Sequence, residues 1–156
     1  MHKLFLFFLL SVLALNADFL NVSSSITKLN GFKYETPHGN EIKIPKEVKL
    51  IIVSFEKDTG ALVNEYLDTK SPDYLTKHNS IFIADINKMP SVITKMFALP
   101  KLRKYKHPMY LNYDEKFEQS VLGKEEMVTL LHVENSIIKH ISFIVRKEEL
   151  KAAIEK

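Results

Sequence analysis

The sequence contains no cysteine among its 156 residues. A chain without thiols forms no disulfide and has no thiolate nucleophile for redox or covalent chemistry. It also lacks the N-terminal cysteine through which secreted lipoproteins are attached to lipid. The absence of cysteine therefore excludes disulfide-stapled domains, thiol enzymes and proteins lipidated at an N-terminal cysteine.

The chain also has little glycine, little proline and little net charge. Four glycines and six prolines, without a low-complexity tract or a repeat, argue against linkers, solenoids and disorder. Lys and Arg number 22 against 19 Asp and Glu, a formal net charge of +3. That balance is too close to neutral to predict nucleic acid as a partner. We therefore expect a compact domain that does not bind nucleic acid.

Long hydrophobic runs are absent except at the N-terminus. Residues 1–3 carry a positive charge, residues 4–15 are apolar at all positions but one, and Ala17 supplies a small residue before the polarity rises. This order is typical of a secretory signal peptide. The run is shorter than the ~20 residues of a membrane span. We predict a signal peptide at residues 1–17, a mature chain that begins near Asp18, a periplasmic location and no stable membrane span after signal removal.

The remaining 139 residues have the length of one domain. A chain of this size buries a sufficient core without disulfides. Residues 18–31 are polar and rich in serine, which predicts an irregular lead-in. We expect the folded domain to comprise residues 32–156.

Hydrophobic periodicity and turn residues predict alternating strands and helices in this domain. The predicted elements are a hairpin at 32–35 and 41–44, a strand at 49–55, a helix capped by Asp58 or Thr59, a strand at 80–86, a helix at 90–105 that Pro100 ends or kinks, a short strand at 109–113, a hairpin at 128–133 and 137–144, and a helix at 147–156. Such an order favours a mixed sheet covered by helices.

The segments LIIVSF (50–55), SIFIADI (80–86) and VTLLHV-ENS-IIKHISFI (128–144), with the helices between them, resemble a known arrangement. They are similar to thioredoxin-like domains of the peroxiredoxin or cytochrome-maturation type, and to the YtfJ-like family of small periplasmic proteins. The resemblance implies an α/β fold with a thioredoxin-like mixed β-sheet flanked by helices and an N-terminal β-hairpin.

The departures from this family concern its chemistry. Redox-active members carry one or two cysteines where the first strand passes into its helix, whereas residues 56–63 here are EKDTGALV. Relatives also place a cis-proline before the late hairpin, and residues 126–128 contain no proline. The resemblance therefore implies the fold without any catalytic residue or cofactor.

A binding site is predicted where the family places its redox centre. In a thioredoxin-like fold the start of the first helix, here Asp58, Thr59 and Gly60, lies beside the loop before the late hairpin, here Glu126 and Met127. We expect unpaired amides at Thr59 and Gly60 to attract a carboxylate or a peptide carbonyl. Gly60 leaves room for a ligand, and Met127 offers an adaptable apolar contact. The alternative is that Asp58 or Thr59 caps the helix and the site is inert.

Three other patterns have structural as well as functional interpretations. His132 and His140 lie on the two arms of the late hairpin, but the histidine spacing matches no metal motif, so we predict no metal site. The basic run at 101–107 suits either an anionic surface or a helix C-terminus. The aromatic and methionine-rich stretch at 97–113 suits either a core or a binding surface.

These patterns lead to one hypothesis and two alternatives. The hypothesis is an exported, non-catalytic binding module whose partner is another envelope protein or a peptide. The alternatives are a cysteine-independent envelope enzyme, with Asp85 and Asp114 at strand ends as candidate carboxylates, and a small-molecule or lipid carrier. A shallow apolar groove would favour the binding module, a deep pocket with convergent charges the enzyme, and an apolar tunnel the carrier.

Overall fold

The computed structural model describes residues 19–156, so the predicted signal peptide and the predicted terminus at Asp18 lie outside the described residues. The elements are a 3₁₀ helix (Ile26–Gly31), β1 (Tyr34–Glu35), β2 (Glu41–Ile42), β3 (Leu50–Ser54), α1 (Lys57–Asp68), α2 (Tyr74–Lys77), β4 (Ser80–Asp85), α3 (Ser91–Ile93), a π-helical segment (Thr94–Ala98), α4 (Leu99–Leu102), β5 (Tyr110–Asn112), α5 (Glu115–Ser120), β6 (Val128–Glu134), β7 (Ile137–Ile144) and α6 (Lys147–Ile154). No helix in this part of the chain is long and apolar enough to cross a membrane.

The strands form one mixed sheet of seven strands in the order β2-β1-β5-β4-β3-β6-β7. Strands β3, β4 and β5 are parallel, and the flanking pairs are antiparallel. Helices cover the sheet. The predicted α/β class, with a mixed sheet flanked by helices and an N-terminal hairpin, is confirmed.

The central strands are buried on both faces, as their continuous apolar runs predict. On β3, Leu50 and Ile52 face α1, α2 and α6, whereas Ile51 and Val53 face the 3₁₀ helix and α5. All five residues of β3 are buried. The two apolar layers hold the parallel strands in place, so the ends of these strands are fixed positions for a site.

The late hairpin closes through a two-residue turn. Asn135 and Ser136 both have left-handed backbone, with φ of 50° and 62°. This is the conformation of a type I′ turn, whose twist matches that of paired strands. The hairpin predicted at 128–144 is therefore present, and it places β6 beside β3.

The elements α3, the π-helical segment and α4 form one continuous helix over residues 91–102, which we call the bulged helix. It continues past Pro100 to Leu102. Pro100 has no N–H to donate within the helix. At the residue immediately before it, the Leu99 N–H bonds the Thr94 carbonyl five residues back. The irregularity expected at the proline is therefore a π bulge rather than an end of the helix.

Three short elements were not predicted from the sequence: the 3₁₀ helix, α2 and α5. The 3₁₀ helix lies within residues 18–31, the predicted irregular lead-in, and buries Ile26 and Leu29. In α5 the only buried residue is Phe117. One or two apolar residues produce no helical periodicity, so such elements depend on contacts that the pattern does not contain.

Candidate binding site

Helix α1 begins earlier than the sequence predicts. Glu56 occupies the N-cap position and Lys57 is the first helical residue. The Thr59 hydroxyl accepts from the Glu56 N–H at 3.3 Å, and the Gly60 N–H donates to the Glu56 carbonyl at 2.9 Å. The predictions of a cap at Asp58 or Thr59 and of an unpaired amide at Gly60 are therefore wrong. Because the helix starts at Lys57, Gly60 already lies within its first hydrogen-bonded turn.

The structure brings the start of α1 against the loop before β6. The Glu126 N–H lies 3.2 and 3.3 Å from the two carboxylate oxygens of Glu56. Glu126 has a φ of 59°, and residues 19–156 contain no cis peptide bond. The predicted neighbourhood of the two segments is thus present, without the cis-proline of redox-active relatives. A binding role for Asp58, Thr59, Gly60, Glu126 and Met127 stays a prediction.

The loop before β6 is held in place by packing. A Cβ atom on Gly123 would lie 2.9 Å from the Phe55 ring, so only glycine fits there without a shift. The Thr129 hydroxyl donates to the Leu122 carbonyl at 3.0 Å. These contacts pack the loop against Phe55, which follows the end of β3.

A depression of about 580 Å³ lies on the other side of the α1 start, between α1, the end of β4 and the bulged helix. Its lining includes Ser54, Gly60, Asn64, Asp85, Ile93 and Phe97. Among the five predicted site residues only Gly60 lines it, whereas Asp58, Thr59, Glu126 and Met127 do not. Gly60 is therefore the one residue that the predicted site shares with this depression.

The floor of this depression is made of buried polar groups and a glycine. A Cβ atom on Gly60 would lie 3.3 Å from the Ser54 Oγ atom, so the glycine keeps the depression open down to the end of β3. Asn64 is buried, and its Oδ1 atom accepts from the His107 Nε2 atom at 2.9 Å. Burial lowers the pKa of His107 to about 4. The imidazole is therefore neutral at pH 7 and fixes the position of Asn64.

The two carboxylates predicted at strand ends, Asp85 and Asp114, both accept hydrogen bonds from neighbouring residues. Asp85 accepts from the side-chain amide of Asn87 at 2.7 Å and from its backbone N–H at 3.2 Å. Burial raises the pKa of Asp85 although the bonds from Asn87 oppose that shift. Asp114 caps α5 by accepting from the Lys116 N–H at 2.9 Å. Both side chains therefore stabilise the turns that follow their strands.

The bulged helix exposes an apolar face beside the depression. Val92, Ile93, Met96 and Phe97 are between 44% and 64% exposed. Ile93 and Phe97 line the depression. Met109, in contrast, is buried in the core. In the stretch at 97–113, Met109 therefore belongs to the core, whereas Phe97 is exposed. Phe97 and its exposed neighbours on the bulged helix form the kind of patch that marks interaction sites.

A second depression of about 950 Å³ adjoins the first. It lies between Lys33 and Glu35 of the N-terminal hairpin and the other side of the bulged helix. Both depressions border Ile86, Lys88 and Met89. The two depressions adjoin past the carboxyl ends of the parallel strands, one on each side of the bulged helix, and we call the pair of them the groove. Open α/β sheets bind their ligands at this edge.

The histidine pair of the late hairpin lies away from the groove. His132 and His140 are opposite each other in the β6–β7 register, with ring centroids 5.3 Å apart. The His132 Nε2 atom is 3.0 Å from the Ser142 Oγ atom. His132 pairs with Leu50 at the start of β3, whereas the groove lies past the end of that strand. Residues 19–156 contain no group of three or more His, Asp or Glu side chains placed to hold a metal ion.

Several solved structures resemble this one in fold. An uncharacterized thioredoxin-like protein from Porphyromonas gingivalis matches with a TM-score of 0.52 and 13% identity, over 80% of this chain and 87% of that one. A putative protein disulfide isomerase from Bacteroides thetaiotaomicron matches with a TM-score of 0.52 and 13% identity, over 88% and 86%. Peroxiredoxin Q from Xanthomonas campestris matches with a TM-score of 0.52 and 12% identity, over 85% and 95%. No protein-family model and no curated protein matches the sequence.

Proposed function

We propose that this protein, a thioredoxin-like fold without cysteine, is an exported binding module that holds a segment of another envelope protein. The groove is the observation that carries the proposal. Its wall is the exposed apolar side of Ile93 and Phe97, and its floor contains Gly60. It lies where the first helix begins, the region in which redox-active relatives carry their cysteines, and no sulfur nucleophile is present there.

The shape and chemistry of the groove favour an extended segment of protein. Two adjoining open depressions with an apolar wall between them accommodate a chain whose backbone and side chains both make contacts. A carrier would need an enclosed apolar cavity, and an enzyme would need charged groups that converge in a deep pocket. Here Asp85 bonds Asn87, and Asp114 caps α5. The proposal therefore assigns no catalytic step to these carboxylates.

The envelope location in this proposal depends on the signal pattern of residues 1–17. A protein delivered to the periplasm meets its partner there, and a chain without cysteine undergoes no disulfide exchange in that oxidising compartment. Membership of the YtfJ-like family belongs to the same proposal. It adds an expected location and contributes nothing to the geometry of the groove.

Photo-crosslinking in cells tests this proposal. A benzophenone amino acid replaces Phe97 in the groove in one strain and Val22 in a matched strain. Val22 is 52% exposed and lies beside Ser23, whose N–H bonds the start of β7 away from the groove. We expect one recurring envelope protein to be crosslinked from position 97 and not from position 22. Equal crosslinking from both positions, or none from position 97, would contradict the proposal.

A further inference from the structure

We infer that the segment held in the groove is acidic, with Asp or Glu side chains placed against Lys57, Lys95 and Lys101 and apolar side chains against Ile93 and Phe97. This inference rests on the proposed function and adds the chemical class of the partner. It follows from the distribution of charge along the chain and around the groove.

The net positive charge of the chain comes from the segment that contains the bulged helix. Residues 86–113 contain six Lys and Arg and no Asp or Glu. Subtracting these six from the 22 Lys and Arg leaves 16, against 19 Asp and Glu in the rest of the chain. The segment around the bulged helix is thus strongly basic on an otherwise slightly acidic protein. A surface of one sign attracts partners of the opposite sign and speeds their encounter.

The carboxylates that line the groove all have partners within the protein. Glu35 lies 2.9 Å from the Lys33 Nζ atom, and Glu56 accepts from the Glu126 N–H. Asp85 accepts from Asn87, and Asp114 accepts from the Lys116 N–H. Each of these carboxylates therefore already accepts a bond within the protein, and Glu35 is the one whose partner is a cation.

The lysines of the groove are mostly without such partners. Lys88 is engaged, because its Nζ atom lies 2.6 Å from Glu118. Lys57, Lys95 and Lys101 form no ion pair within residues 19–156. Lys101 does help to lower the pKa of Glu65, but that carboxylate is already bonded to Lys147 at 2.7 Å. Five lysines (Lys33, Lys57, Lys88, Lys95 and Lys101) and four carboxylates (Glu35, Glu56, Asp85 and Asp114) line the two depressions, so the formal charge of the lining is +1, and three of its lysines have no ion-pair partner there.

The unpartnered lysines are distributed along the groove. Lys95 lines the larger depression, whereas Lys57 and Lys101 line the smaller one. Ile93 and Phe97 lie on the bulged helix on either side of Lys95 in the sequence, and both line the smaller depression. A segment that follows the groove through both depressions meets cations in each of them. Acidic side chains separated by apolar ones match this order.

A protein segment fits this surface better than a membrane does. The lysines and apolar side chains line a concave groove, so a chain that enters it contacts the floor as well as the wall. A bilayer surface is flat and would contact the exposed side chains of the bulged helix, such as Val92, Met96 and Phe97, without reaching Gly60 in the floor. Anionic lipid is therefore the competing occupant that the experiment must separate.

Three displayed peptide pools test the inference directly. Each pool presents linear peptides with the same apolar residues, and the polar positions are restricted to Asp and Glu, to Lys and Arg, or to Ser and Asn. The pools are panned on the purified protein, on Lys95→Glu/Lys101→Glu and on the charge-matched control Lys46→Glu/Lys139→Glu. Lys46 and Lys139 are exposed and do not line the groove. Vesicles of phosphatidylglycerol in phosphatidylcholine are tested for binding in parallel.

We expect the acidic pool alone to be enriched by the wild type and the control, and its enrichment to fall roughly tenfold on Lys95→Glu/Lys101→Glu. Enrichment of the basic or neutral pool, lost on Phe97→Asp, would overturn the acidic partner while the binding function stands. Enrichment of no pool would overturn the binding function itself. Vesicle binding that depends on Lys95 and Lys101, without enrichment of the acidic pool, would show that the surface binds lipid instead.

Discussion

Acidification should destabilise the fold through His107. Its side chain is only 7% exposed, and its Nε2–H donates to the Asn64 Oδ1 atom at 2.9 Å. Burial lowers the pKa of the imidazole to about 4, although the charge of Asp68 opposes this shift. Protonation in the folded state would place a charge on the buried ring. The unfolded chain, by contrast, accepts the proton at its ordinary pKa, about 6.5.

The sign and the size of the effect follow from this difference. Since the folded pKa is the lower one, the unfolded state binds the proton first as the pH falls. Stability is therefore full above about pH 6.5 and decreases until about pH 4, below which His107 contributes no further change. The whole shift corresponds to about 3 kcal/mol, of which about 2 kcal/mol is lost between pH 7 and pH 5.

Urea unfolding followed by circular dichroism at pH 7, 6 and 5 measures this loss. His107→Gln keeps an amide donor for Asn64 and removes the titration, and His38→Gln changes an exposed histidine as the matched control. We expect the wild type and His38→Gln to lose about 2 kcal/mol more than His107→Gln between pH 7 and pH 5. If His107→Gln has the same pH dependence as the wild type, the buried neutral imidazole is not the cause.

Three further predictions concern packing, a buried hydrogen bond and export. Gly123→Ala places a Cβ atom 2.9 Å from the Phe55 ring and should lower the free energy of unfolding by about 1–3 kcal/mol. The control Gly31→Ala meets nothing within 4 Å and should change that free energy by less than about 0.5 kcal/mol. Equal effects of the two variants in urea unfolding would refute the clash. Tyr34→Phe removes the hydroxyl that donates at 2.9 Å to a carbonyl of the 3₁₀ helix and should cost about 1–2 kcal/mol by the same assay, so an unchanged stability would show that the bond contributes nothing. N-terminal sequencing of protein released by osmotic shock should begin near Asp18, and recovery of the uncleaved chain from the membrane fraction would exclude export with signal removal.

The elements that the sequence predicts well are those buried on two faces or joined by tight turns. Residues 50–53 are all apolar because both sides of β3 meet a core, and a continuous apolar run with three β-branched residues favours a strand over a helix. The start of α1 lies two or three residues before the predicted caps because its N-cap is Glu56, a residue type with weak capping preference. Thr59, which seemed to be the cap, instead bonds back to Glu56.

The groove was less predictable than the sheet. Val92, Ile93, Met96 and Phe97 have helical spacing, but that spacing does not distinguish a face packed on a core from a face left open. The distinction depends on which other elements cover the bulged helix, and this is a property of the whole fold. One signal is present in the sequence: residues 86–113, which include the basic run at 101–107, contain no acidic side chain.

The affinity of the crosslinked partner for three purified forms of the protein tests the groove most directly. The forms are the wild type, Gly60→Lys, which places a side chain in the floor of the groove, and Gly31→Lys, whose new side chain meets nothing within 4 Å of its Cβ atom. We predict an affinity about tenfold lower or more for Gly60→Lys and an unchanged affinity for Gly31→Lys. A Gly60→Lys variant that folds as stably as the wild type and binds the partner as tightly would contradict the groove as the binding site.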